Sequence, residues 1–271
     1  MSTDWRVLRT AAARGAWNMA VDEAILAQIG RPDSPPTLRL YAWEPACLSL
    51  GQAQPYSDVD DAGLRERGWD VVRRPTGGRA ILHTDELTYS ITASSTEDVI
   101  AGSLLESYNR IALALLRAVR LLGLNPEVKP GPGTDRNSIN PVCFEVPSSY
   151  EITVNGRKLI GSAQARRREG VLQHGSLPLC GDLARITHGL VFSDAAARQE
   201  AGARLLGHAT TVESALGRPV SWNTAAEAIV EAFETELGLH FQPSSLSEAE
   251  EKRAADLVQE KYGNAGWTRR V

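Results

Sequence analysis

The feature that most constrains this chain is an Asn-Gly pair, Asn155-Gly156, set between alternating runs in SYEITVNGRKLIGSAQARRREGVLQHGSLPL. Asn-Gly supplies the two left-handed backbone positions of a two-residue hairpin, so the flanking runs are expected to pair antiparallel. A charged turn around Arg167 to Gly170 then sends the chain back along a further strand. The segment predicts a three-stranded antiparallel unit.

Around it the pattern alternates between helix and strand without a fixed rhythm. Val21, Ile25 and Ile29 recur at four-residue steps, which predicts a helix over Trp17 to Ile29 closed by Pro32, Pro35 and Pro36. TLRLYAW and CLSLG read as short strands parted by the turn Glu44-Pro45-Ala46, and Val59 to Arg67 as a second helix. WDVVRR, the tight turn Thr76-Gly77-Gly78, RAILH and ELTYSITA together read as an antiparallel meander. A helix over Leu104 to Leu122 follows, then a Pro-, Gly- and Asn-rich stretch from Gly123 to Val142 that reads as a loop. The remainder reads as helical: Ala225 to Leu237, and a last helix from Ser247, where Ser247 and Glu250 have capping-box spacing. A break at Phe241 to Ser245 divides a unit over 1–240 from a helical extension over 241–271. Helices mixed with mostly antiparallel strands place the chain in the α+β class, a mixed, largely antiparallel sheet flanked by helices.

Composition narrows the function classes. At 42% hydrophobic and 23% charged residues, the 271-residue chain has the mix of a soluble globular protein. The start MSTDWRVLRT has no apolar run behind a basic end, so no secretory signal is expected and a cytoplasmic location follows. Ile111 to Leu124 is interrupted by Arg117 and Arg120, which suits an amphipathic helix, and no membrane partner is expected. A net charge of -4 gives no global nucleic-acid signature. Cys47, Cys143 and Cys180 are odd in number and widely spaced, against a disulfide framework or a zinc site; no metal is expected.

Several residues could carry chemistry. Arg73-Arg74-Pro75-Thr76-Gly77-Gly78-Arg79 puts guanidinium donors beside glycines that let a ligand approach the backbone, or is simply a turn on a basic edge. His83 reads as a ligand contact or a core histidine. Cys143 ends the long loop and reads as a small buried hydrophobe or as a nucleophile whose thiolate a nearby ammonium would favour; Lys158 is the cation a hairpin could return to it, or simply a solvated strand lysine. Cys47, inside ACLSLG, reads as core. Arg166, Arg167 and Arg168 form a solvated tip or a docking patch for an acidic partner, and Gln173 and His174 line the same cleft or satisfy the sheet.

These segments resemble the lipoate- and biotin-protein ligase superfamily, and within it the cysteine-dependent octanoyltransferases of the LipM type. The resemblance runs from about Trp17 to about Leu179, through NMAVDEAIL, LYAWEPACLSLGQAQ, RRPTGGRAILHTDELTYS, CFEVPSSYEITVNGRKLIGSAQ and LQHGSLPL. It implies the class II synthetase-like catalytic fold, with Arg74, Gly77, Gly78 and His83 lining an acyl pocket and Lys158 at the acyl carbonyl. Thr76, Arg79, Gly161, Gln164 and His174, in the same segments, complete the expected substrate-binding set. It implies octanoyl transfer from acyl carrier protein through a Cys143 thioester to the lipoyl-domain lysine of the glycine cleavage H protein, with no cofactor and no ATP. The alternatives are an ATP-dependent lipoate ligase and a lipoyl-domain amidotransferase. Against the ligase stand a Gly-Gly-Arg turn lacking a third glycine, the segment HTDELTYS, and a chain short for a full accessory domain.

Overall fold

The computed structural model describes residues 4–29, 31, 34–130 and 150–271. Eleven strands are formed by these residues: β1 (Asp4–Arg9), β2 (Thr37–Tyr41), β3 (Cys47–Leu50), β4 (Asp70–Arg73), β5 (Ile81–His83), β6 (Glu86–Ala93), β7 (Pro126–Pro130), β8 (Tyr150–Val154), β9 (Arg157–Arg166), β10 (Val171–Pro178) and β11 (His240–Ser244). The α-helices are α1 (Gly15–Gln28), α2 (Asp61–Glu66), α3 (Leu104–Leu121), α4 (Ala195–His208), α5 (Val212–Leu216), α6 (Trp222–Leu237), α7 (Glu248–Leu257) and α8 (Ala265–Thr268). None is long and apolar enough to cross a membrane among the described residues.

The hairpin forms as its sequence demands. Asn155 and Gly156 both adopt positive φ, 51° and 76°, and the antiparallel ladder β8-β9-β10 follows. This ladder belongs to an eight-stranded sheet in the order β11-β1-β2-β6-β10-β9-β8-β7, in which β1 runs parallel to both of its neighbours. Leu40, Tyr89 and Ile91 on one face pack with Ile111, Leu115 and Val119 of α3 and with Ile229 and Phe233 of α6. Ser103 and Glu106 close α3 with a capping box, and Ser247 and Glu250 do the same for α7. The other face is covered by α1, itself backed by α7, so Met19, Ala20, Ala24 and Leu26 are buried besides the expected Val21 and Ile25.

Four expectations need correction. The meander does not form: β4 and β5 flank β3 in a separate three-stranded sheet, β4 parallel and β5 antiparallel to it, while β6 lies in the large sheet. WDVVRR and CLSLG each hold too many core-facing apolar residues to be told apart by period alone. Within the expected loop, Pro126–Pro130 is strand β7, paired with β8. Phe241 to Ser245 is no break, because its residues through Ser244 are strand β11 alongside β1, and Arg6 of β1 forms a buried ion pair with Glu250 of α7. The second helix begins at Asp61, capped by Asp60, rather than at Val59. Helices α4 and α5 had no counterpart among the elements expected from the sequence.

Candidate active site

The two sheets and α1 enclose a cavity of about 480 Å³. Its floor is a straight row across four strands, Tyr41 opposite Thr88, Thr88 opposite Ser176, and Ser176 opposite Gly161. Three steps of roughly 4.8 Å give this row a length of about 14 Å. Small residues leave the space open at the β9 end, where Gly161, Ala163 and Gly175 line the wall. A Cβ at Gly175 would meet Tyr89 Cε1 at 2.6 Å and the Gly161 carbonyl oxygen at 2.8 Å, so no larger residue fits there unaltered. Met19 and Trp43 close the β2 end, and Leu104 and Tyr108 of α3 contribute beyond β9.

Lys158 reaches this cavity through an irregularity. Strict alternation along β9 would place Lys158 and Gly161, three residues apart, on opposite faces. The β8-β9 register shifts between Ile152 and Thr153, the phase changes with it, and both residues line the cavity. Lys158 is 3% exposed, and its Nζ donates to Glu151 Oε1 at 2.6 Å.

The Arg-rich turn is held by its own arginines. Arg74 donates through one terminal nitrogen to the Ser49 carbonyl at 2.9 Å, and through the other to the carbonyls of Gly77 at 2.8 Å and Arg79 at 2.7 Å. These donors, expected to face a ligand, bind main-chain oxygens and fix the loop. Gly78, at φ 95°, passes so close to Gly51 that a Cβ on Gly51 would overlap the Gly78 carbonyl. Arg73 is fully buried and donates to the carbonyls of Gly51 and Thr268, while Trp267 Nε1 donates to the Arg73 carbonyl. The carboxy-terminal segment thus braces the turn from behind.

Two imidazoles stand on the cavity wall, each between a carboxylate and a hydroxyl. His83 stacks on Trp43 with ring centroids 4.0 Å apart. Its Nδ1 lies 2.7 Å from Glu86 and its Nε2 2.7 Å from the Ser49 hydroxyl. Burial pushes the Glu86 carboxyl up, but His83 and donors from Ser176 and Thr88 bring it below its ordinary value. An ionised Glu86 accepts from Nδ1, while the Ser49 hydroxyl meets Nε2. His174 repeats the pattern, Nδ1 at 3.5 Å from Asp22 and Nε2 at 2.7 Å from the Thr76 hydroxyl. Burial lowers the His174 pKa against the opposing pull of Asp22. Burial raises Asp22, yet Arg39 and His174 together hold it low; Arg39 donates to it at 2.8 Å.

Of the residues expected at the site, Arg74, Gly77, Gly78, His83, Lys158, Gly161, Gln164 and His174 line this one cavity. Thr76 lies behind the wall on His174, and Arg79 is not among the lining residues. Cys143 lies outside the described residues. The other two thiols are poor nucleophiles: burial pushes Cys47 well up, and Cys180 is raised by burial and by Asp85 and Glu213. Arg166 is a structural tie rather than part of a free tip, donating to the carbonyls of Ile100, Gly102 and Ser103, while Arg167 and Arg168 are exposed.

Residues 14–234 match the family described as the lipoyl protein ligase A/B catalytic domain. The octanoyltransferase LipM of Symbiobacterium thermophilum is 40% identical over 275 residues, covering 100% of both chains. The chain belongs to the LipM-type octanoyltransferases. LipM of Moorella thermoacetica is 41% identical with 98% of each chain covered, and LipM of Bacillus subtilis 34% with 97% covered. A structure described as belonging to an archaeal lipoylation system, a bi-partite lipoate protein ligase and its E2 lipoyl domain from Thermoplasma acidophilum, superposes with a TM-score of 0.82 at 23% identity, covering 98% of this chain and 96% of its own. At that identity the likeness speaks for the fold alone. As a LipM-type enzyme the chain is an acyltransferase that transfers octanoyl in lipoate biosynthesis.

Sequence reasoning missed four groups in this LipM-type site. Glu151 was overlooked because nothing in YEITV marks which of its residues faces a later lysine. Ser49 was signalled only as a polar residue between the core positions Leu48 and Leu50, while Asp22 and Glu86 each adjoin a second carboxylate, Glu23 and Asp85, and nothing in the sequence marks which of the two is buried.

Proposed function

We propose that this octanoyltransferase takes octanoyl from the phosphopantetheine thioester of acyl carrier protein onto the Cys143 thiol, then passes it to the lipoyl-domain lysine of the glycine cleavage H protein. The observation that carries the reading is the buried Lys158 amine on the wall of a long cavity floored by the row Tyr41, Thr88, Ser176 and Gly161. An acyl chain laid along the floor row, carbonyl toward β9, would put its charged centre at the one end that holds Lys158. The match to the lipoyl protein ligase A/B catalytic domain supports a lipoyl-domain acceptor.

In the first half, the Cys143 thiolate adds to the donor carbonyl and the tetrahedral adduct collapses, expelling the pantetheine thiolate. In the second, the neutral acceptor amine adds to the Cys143 thioester. The C–S bond breaks, and the proton shed by nitrogen ends on the Cys143 sulfur. Both halves pass through an oxyanion that positive charge at Lys158 would stabilise. A thioester is already activated, so the proposed route consumes no ATP.

Purified protein, octanoyl-acyl carrier protein and H protein, mixed without ATP, are expected to yield octanoylated H protein. Modification that instead required ATP and free octanoate, with release of pyrophosphate, would establish the ligase reading.

A further inference from the structure

The pairing of Lys158 with Glu151 bears on how the lysine works. An ammonium removed from water is unfavourable unless an opposite charge and hydrogen bonds compensate. Glu151 provides both: it sits on β8, two residues from Thr153, which lies directly opposite Lys158, so its carboxylate approaches the amine along the diagonal of the ladder. Both side chains are withdrawn from solvent, at 3% and 11% exposure, and the contact is a short 2.6 Å. The lysine backbone is held as firmly, its carbonyl accepting from the Thr210 amide at 2.9 Å.

We propose that Glu151 is a positioning residue for octanoyl transfer, holding the Lys158 side chain as an aimed ammonium rather than as a proton acceptor. The inference rests on the functional reading above. In it Lys158 keeps its proton throughout, supplying charge to each oxyanion, and no proton passes to or from Glu151. The register shift brings Lys158 to the cavity, and the Thr153–Lys158 pairing beside it sets Glu151 on the diagonal, so the charged pair stands at the cavity wall.

A double-mutant cycle on the steady-state rate of octanoyl transfer tests this, with Glu151→Gln, Lys158→Met and the double variant. Glu151→Gln keeps an acceptor but removes the charge. It is expected to lower kcat on the order of tenfold or more, the scale for removing charge stabilisation at a reacting centre, with KM for the donor little changed. The double variant is expected to be no slower than Lys158→Met, because Glu151 acts only through the lysine. Glu151→Asp, which keeps the charge on a shorter arm, is expected to recover part of the rate. A Glu151→Gln rate equal to that of the unaltered enzyme overturns the proposal. So does a double variant slower than Lys158→Met by the full Glu151→Gln factor, the sign of an independent structural role. If Lys158→Met is below detection, Glu151→Asp decides: recovery supports the proposal, and a rate at or below that of Glu151→Gln overturns it. Intact-mass measurement of Cys143, run in parallel, separates the two claims: active transfer without an adduct removes the thioester route, while the rates of the Glu151 variants still decide the role of Glu151.

Discussion

The two imidazole chains on the cavity wall, Glu86–His83–Ser49 and Asp22–His174–Thr76, share a chemical pattern and differ in what they join. Glu86 and His83 are three residues apart, and their tie closes the short connection from the small sheet to the large one. Asp22 and His174 are 152 residues apart, and with Thr76 they connect α1, β10 and the Arg-rich turn. Glu86 spends its oxygens on hydroxyls and one imidazole, whereas Asp22 also balances a fully buried guanidinium and accepts from Tyr41 and Ser90. A carboxylate–imidazole–hydroxyl line is therefore not in itself a nucleophilic triad. Here the Ser49 oxygen is buried and already accepts from Arg74, which marks a clamp.

The contrast predicts an order of effects. Asp22→Asn leaves Arg39 charged and buried without a counter-ion, and should cost about 3–5 kcal/mol in denaturant unfolding. A loss below about 1 kcal/mol would remove Asp22 from its central place. Glu86→Gln strands no permanent charge and should cost about 1–3 kcal/mol; parity with Asp22→Asn would erase the distinction between the chains.

Acid titration separates them further. Burial holds the folded-state pKa of His174 below its ordinary value of 6.5, so the unfolded chain binds a proton that the folded chain refuses. That contribution to stability is full above pH 6.5 and is lost as pH falls below it toward the folded value. Asp22 and Glu86 are also lowered, so their contributions hold above the ordinary values of 3.8 and 4.5 and fade only at lower pH. In thermal melts, His174→Gln should flatten the loss of stability just below pH 6.5, and an unchanged slope would contradict the assignment. The smallest effect should come from Thr76→Val, about 1 kcal/mol for leaving the His174 Nε2 without its hydroxyl partner. A loss as large as that of Glu86→Gln would show that Thr76 carries more than this one bond.

What could be read from the sequence was local. Asn155-Gly156 forms its hairpin because both conformations are dictated within the pair, and Ser247 with Glu250 caps α7 because the bonds span four residues. Eight residues named from the family motifs, from Arg74 to His174, fall on the cavity wall. Long-range facts stayed out of reach: that His240–Ser244 pairs beside Asp4–Arg9, that β3 leaves the large sheet, or that a register shift turns Lys158 toward the cavity. Each depends on which distant segments share one core, and alternation within a segment carries no such information. Arg74 shows a subtler limit, since guanidinium donors beside glycines serve a ligand or the turn itself equally well, and here they serve the turn.

The central claim, that this cavity loads octanoyl onto Cys143 beside the Lys158 charge, is tested most directly by the intact mass of the protein after brief incubation with octanoyl-acyl carrier protein and no acceptor. The expected result is one octanoyl adduct on the unaltered enzyme, absent in Cys143→Ser and discharged on adding H protein. An unmodified enzyme that nevertheless octanoylates H protein, or an adduct that survives in Cys143→Ser, would contradict it.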